Sequence, residues 1–161
     1  MGKLIEIKPS DLKERGLRSV TITVDAESAG MSARLFPAKN AILALNGPPG
    51  GPLVLVIWDC TDLPQDVEGA IQPRLVPPWT NALELKHRDA GAVLGEQREG
   101  MTFFTGSGRA RIAWFAVLVE VRDARLLVAC GVPGSEPHDV PAAEVLMNPS
   151  IKSAVGSLRV S

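Results

Sequence analysis

Arg111-Ile112-Ala113-Trp114-Phe115-Ala116-Val117-Leu118-Val119-Glu120-Val121, then Arg122-Asp123-Ala124, then Arg125-Leu126-Leu127-Val128-Ala129-Cys130-Gly131-Val132 is the stretch that decides the fold. Two runs rich in β-branched and aromatic residues flank a tight polar turn. This pattern predicts antiparallel neighbours at the centre of a sheet, turning around Asp123. Working outward, Leu53 to Trp58 is apolar on both parities, as expected of a strand covered on both faces. Val20, Ile22 and Val24 alternate with Thr21, Thr23 and Asp25, the period of a strand with one wet face. Met31 to Phe36 and Ala41 to Leu45 predict further strands, the second being compatible with a helix as well. Leu83 and Leu85 alternate with Glu84 and Lys86 in a half-exposed strand, and Met101 to Thr105 forms the strand before the central hairpin.

The helices are fewer. Ser10 caps a short helix over Asp11 to Arg15, stopped by Gly16. Thr61 or Asp62 caps another, with Gln65, Asp66 and Glu68 in its first turn and Pro73, Pro77 and Pro78 ending it. Asn148-Pro149 is an N-cap followed by proline at the first helical position. From there Ile151, Ala154, Val155 and Leu158 fall at i, i+3, i+4 and i+7, so one face of the closing helix packs on the sheet. Asn46-Gly47-Pro48-Pro49-Gly50-Gly51-Pro52 breaks regular structure and reads as a surface loop. The expectation is one α+β domain over residues 1–161, mainly an antiparallel sheet packed against helices, with strands, then a helix, then a meander. A chain of 161 residues buries about two-thirds of its unfolded surface and needs no staple.

Seventeen basic residues against 18 acidic ones give a net charge of -1, and no footprint for nucleic acid or an anionic membrane. The opening Met1-Gly2-Lys3-Leu4-Ile5-Glu6 contains no signal peptide or membrane span, and Glu6 stands where a myristoylation signal wants Ser or Thr. The expected compartment is the cytoplasm, which argues against a disulfide between Cys60 and Cys130. Each of these ends a buried strand and reads as a small hydrophobe.

Side chains that carry chemistry are scattered. His87 and His138 have no ligand spacing, so no metal or cofactor is expected. Asp59 and Asp62 bracket Cys60 at a strand end, where a carboxylate pair would bind a cation or act as acid and base, although a helix cap accounts for Asp62. Glu96 and Glu99 flank Arg98 on a glycine-bounded turn. Gly106-Ser107-Gly108-Arg109 has the composition of an anion nest but leads into a strand rather than a helix, which favours a hairpin turn. Ser107 has no base partner.

The aromatic side chains are the surplus. Phe103 and Phe104 point to opposite faces of their strand, as do Trp114 and Phe115. Either helices cover both faces, or one aromatic face, with Trp79, is a partner-binding surface. The leading expectation is a non-enzymatic domain holding another protein on an exposed sheet face. The rivals are a small-molecule or enzymatic domain with a pocket near Asp59, Asp62 and Cys60, and a structural subunit that self-associates by strand edges, with a second copy of the chain as partner.

The order of elements over positions 18 to 160, with a strand Arg125 to Val132 and then a terminal helix closing in Ser157-Leu158-Arg159-Val160, resembles the PsbP-like superfamily. That group includes photosystem extrinsic subunits, Ran-binding nuclear import factors, bacterial lipoproteins and cytoplasmic chaperones of type VI secretion effectors. The resemblance implies an antiparallel sheet sandwiched by helices and a binding role. Without a lipobox or transit peptide it points toward the cytosolic chaperones and adaptors.

Overall fold

Seven antiparallel strands form the body of the protein in a computed structural model that describes residues 5–7, 21–33, 41–47, 53–60, 66–75, 83–108, 111–121, 124–134 and 140–161. The strands are β1 (Ile5–Ile7), β2 (Ile22–Val24), β3 (Ser32–Ala33), β4 (Ala41–Asn46), β5 (Val54–Asp59), β6 (Glu84–Val93), β7 (Glu96–Thr105), β8 (Ile112–Val121), β9 (Ala124–Pro133) and β10 (Arg159–Val160). The large sheet runs β3-β4-β5-β9-β8-β7-β6, and β1-β2-β10 make a small second sheet. The central hairpin pairs as the sequence predicts, with Val121 opposite Ala124 and Ile112 opposite Pro133. Its turn centre, Asp123, lies outside the described residues, as do the 10–16 helix, the Pro48 to Pro52 loop and residues 34–36 of the expected third strand. Ala41–Asn46 is a strand, which resolves the ambiguity of that segment.

Alternation along the central strands sorts the core into two layers. Leu55, Ile57, Phe115, Val117, Leu126 and Val128 face one side. There they meet α2 (Ala142–Met147), α3 (Pro149–Ser157) and the small sheet, through Ala142, Val145, Ile151, Ala154 and Leu158 on the helices and Ile22 and Val24 on β2. Val56, Trp58, Phe103, Trp114 and Ala129 face the other side, covered by α1 (Val67–Ile71) and the 3-10 turn Gln72–Arg74 through Ala70, Ile71 and Leu75. The α+β class is therefore as the sequence implies, with helices on both faces of the sheet.

Local chemistry explains the helices and corrects three expectations. Asn148 Oδ1 accepts from the Ser150 and Ile151 amides and Pro149 opens the first turn, so α3 begins where its cap dictates. The α1 cap is Asp66, whose carboxylate accepts from the Gly69 amide at 2.8 Å, rather than Thr61 or Asp62, which lie outside the described residues. Pro73 does not stop the winding outright: α1 gives way after Ile71 to a 3-10 turn through Arg74, in which Pro73 is the second residue and so gives up no hydrogen bond. Glu96, Arg98 and Glu99 are not on a loop. They belong to β7, which pairs with β6 along a ten-residue hairpin closed by Leu94-Gly95. Both turn residues have positive φ, 55° and 79°, as a two-residue hairpin turn demands.

Candidate functional site

The aromatic quartet is interior. Phe103, Phe104, Trp114 and Phe115 are each buried, so an exposed aromatic sheet face is corrected: helical layers cover both sides. Phe103 and Trp114 stack at 6.0 Å between centroids on the α1 side, where Trp114 Nε1 donates to Thr105 Oγ1 at 2.8 Å. Phe104 lies on the opposite side under the Arg111 guanidinium, 4.7 Å from its ring centre, a cation–π contact. Trp79 lies outside the described residues.

Asp59 and Cys60 close β5 inside the protein. Both are buried, and Arg74, itself buried, donates from its guanidinium to the Ala70 and Asp59 carbonyl oxygens at 2.7 and 3.3 Å. Burial pushes the Cys60 thiol up from its ordinary pKa, and that of Cys130 up to about 12, so neither is poised as a nucleophile. The two sulfurs are far apart. Cys130 sits opposite Leu55, five residues along β5 from Cys60 and therefore about 17 Å away, and the two face opposite layers. Asp62 and His138 lie outside the described residues. His87 is exposed on β6, and among the described residues no three His, Cys, Asp or Glu side chains are placed to hold a metal. Gly106 and Gly108 take positive φ in the link from β7 to β8, a hairpin loop, with Arg109 outside the described residues.

What remains exposed is the edge of the sheet. β6 is the terminal strand, and Glu84, Leu85, Lys86, His87 and Arg88 are all exposed on it. The register slips by one residue between Glu84 and His87, a bulge that holds Leu85 at φ 53° with 44% of its surface in solvent. An apolar side chain kept in water on a backbone that leucine disfavours is strain with no packing in return. Edge strands usually avoid this, and the charges of Glu84, Lys86 and Arg88 around Leu85 are the usual guard against indiscriminate pairing.

A cleft lies on each side of β6. On the α1 side Asp66, Glu68, Lys86, His87 and Glu99, together with Val67, Met101 and Leu118, line one of about 860 Å³, in which Lys86 pairs with Glu68. On the other side a groove of about 740 Å³ runs between β6 and the α2–α3–β10 layer. Asp89 marks where that layer docks. Pro141 offers α2 no capping side chain, and Asp89 reaches across from β6 instead, taking the Ala142 amide on Oδ2 and the Ala90 amide on Oδ1, each at 2.8 Å. Those amides, Ala142 first, hold its carboxyl below the ordinary carboxylate pKa.

A carboxylate with a depressed pKa stabilises the fold above its unfolded pKa, and the contribution disappears as pH falls through the lower, folded value. Asp89→Asn keeps one acceptor oxygen where the carboxylate uses two, and is therefore expected to cost about 1 kcal/mol at neutral pH, the usual worth of one hydrogen bond. The gap from wild type should shrink only below about pH 4, where the wild-type carboxyl takes up its proton. Asp25, likewise held down by the Ser28 amide, titrates in both proteins and cancels from the difference. Urea midpoints measured across that range check it, and a gap that grows toward low pH would refute the assignment.

The β6–β7 hairpin, α2 and the groove between them escaped the sequence reading. The available signal was Val93-Leu94-Gly95-Glu96, a two-residue turn with leucine where asparagine or aspartate is the usual marker. No protein-family model matches the chain, and no curated protein matches it. Among the described residues no helix is long and apolar enough to cross a membrane.

Proposed function

We propose that this is a non-enzymatic protein-binding domain, a secretion chaperone or assembly adaptor, and that it holds its partner along the β6 edge rather than on a sheet face. The observation that carries the reading is Leu85, strained and solvent-exposed near the start of β6, a ten-residue strand that among the described residues has a neighbour on one side only. An edge offers a row of main-chain donors and acceptors to an incoming strand, and a projecting leucine supplies an apolar anchor beside it. The cytosolic chaperones of the PsbP-like resemblance belong to the same proposal. The rival, a small-molecule-binding or enzymatic domain with a pocket near Asp59, Asp62 and Cys60, has less to draw on: Asp59 and Cys60 are buried, with the Asp59 carbonyl held by Arg74, and Asp62 lies outside the described residues.

The test uses Leu85→Gly. Glycine occupies the left-handed region freely, so the change is expected to raise stability by about 0.5–1 kcal/mol once glycine's own entropy cost is subtracted from the relieved strain. Retention of the proteins that co-purify with the wild-type chain should fall by about tenfold. Higher stability with unchanged retention would reject the edge as the binding element. If the retained species is a second copy of the chain, seen as a loss of dimer in Leu85→Gly by sedimentation, the domain is a self-assembling subunit and the adaptor reading fails.

A further inference from the structure

The groove between β6 and the helical layer is built as a half-site. One wall is the outer edge of β6 from Ala90 to Ala92 with the turn residue Leu94, and the other is a stripe of side chains on α2, α3 and β10. Helical spacing sets the second wall: Ala143, Leu146 and Met147 follow i, i+3, i+4 on α2, and Lys152, Val155 and Gly156 repeat the pattern on α3. Leu146 and Val155 turn toward the core as they line it, whereas Met147 stands 70% exposed above it. A protruding, flexible thioether beside an apolar groove is a contact that adapts to varied side chains.

The backbone of the strand wall is open in a definable place. The Ala90 amide bonds to Asp89 rather than to β7, so its main chain points away from the sheet. In an antiparallel ladder that direction recurs every second residue. The Ala90 carbonyl and the amide and carbonyl of Ala92 therefore face the groove, while Val93 lies opposite Glu96 in the closing pair of the hairpin. Among the described residues β6 has no strand neighbour on this side.

Charge decides what fits. Lys152 and Arg159 both line the groove, and among the described residues no carboxylate does. Among the described residues neither pairs with an acid; the Arg159 guanidinium is held by the Gly156 and Leu158 carbonyl oxygens at 2.8 Å each. From these juxtapositions we infer that the groove takes an extended acidic segment of a partner protein, one whose alternate apolar side chains enter between Leu94, Leu146 and Met147 while its carboxylates meet Lys152 and Arg159. The segment adds to β6 at Ala92 as a short strand. This deepens the edge-strand proposal and rests on it.

The probe is a short fluorescein-labelled peptide of alternating leucine and glutamate, titrated against the full chain by anisotropy, with a leucine–lysine peptide and sodium decanoate alongside. Two variants locate the site. Gly156→Trp fills the groove from a position where an added Cβ meets nothing within 4 Å, so the fold has room for it. Lys152→Glu reverses a charge on an exposed side chain. The leucine–glutamate peptide is expected to bind the wild-type chain, and to bind both variants about tenfold more weakly, with thermal melts unchanged. The leucine–lysine peptide should bind weakly throughout. Absence of leucine–glutamate binding, equal affinity in wild type and both variants, or saturation by decanoate without peptide binding each overturns the inference, the last by making the groove a small-molecule site. If it is overturned while Leu85→Gly still loses its partner, the edge-strand reading stands without the groove; if both results fail, both readings fall.

Discussion

Gly100→Ala is expected to lower the free energy of unfolding by about 3 kcal/mol or more, the upper range for forcing atoms into a packed interior. Gly100 lies in β7 opposite Val117 of β8, and a Cβ there would stand 2.2 Å from the Ala116 carbonyl oxygen, 2.6 Å from Val117 Cγ1 and 3.0 Å from a Phe115 ring carbon. The first contact decides the magnitude. A side chain can rotate aside, but the Ala116 oxygen belongs to the neighbouring strand, so relief requires prising β7 from β8 where strands stand about 4.8 Å apart. Gly95→Ala is the comparison, because Gly95 has φ 79° and open space around it. Its cost is left-handed strain alone, about 1–2 kcal/mol. Urea unfolding of the two variants checks the order, and a Gly100→Ala midpoint at or above that of Gly95→Ala would show that the strands separate freely at this point.

Glycines of this kind are also why one end of the sheet was hard to see in the sequence. The central hairpin was legible because nearly every position from Ile112 to Val132 is apolar, and a strand covered on both faces admits little else. α3 was legible because its cap, its proline and its apolar stripe agree. The strand signal at Leu83 to Lys86 fades along the rest of β6 and the start of β7, which carry Gly91, Gly95, Gly100, Ala90 and Ala92 among charges, residues that β propensity penalises. Each small residue answers a tertiary demand: a Cβ on Gly91 would stand 2.5 Å from a Leu146 methyl, so the strand is bare there to let α2 approach. The edge and its groove are products of that approach and have no local signature. The two-sided alternation of the aromatics was legible, but what covers each side was not. α1 has five residues and α2 six, too short for periodicity to reveal a covering face.

Trp114 and Phe115 then provide a test in which both neighbours should fail alike. Trp114→Ala is expected to destabilise by about 3–5 kcal/mol, and Phe115→Ala by a similar amount, the usual cost of emptying a large aromatic site that cannot collapse. Trp114 loses its stack on Phe103 and leaves the buried Thr105 hydroxyl without the indole donor. Phe115 leaves the opposite layer, where it fills the space beneath α2 beside Gly91. A domain with about 5–15 kcal/mol in hand survives either loss only narrowly. A sheet with one wet face predicts something different: one variant severe, its neighbour mild, since adjacent strand residues point oppositely. Equilibrium unfolding of both separates the cases. If either substitution costs less than about 1 kcal/mol, the layer over that residue is not packed, the aromatic becomes an available anchor, and the binding surface moves from the β6 edge back to the face of the sheet.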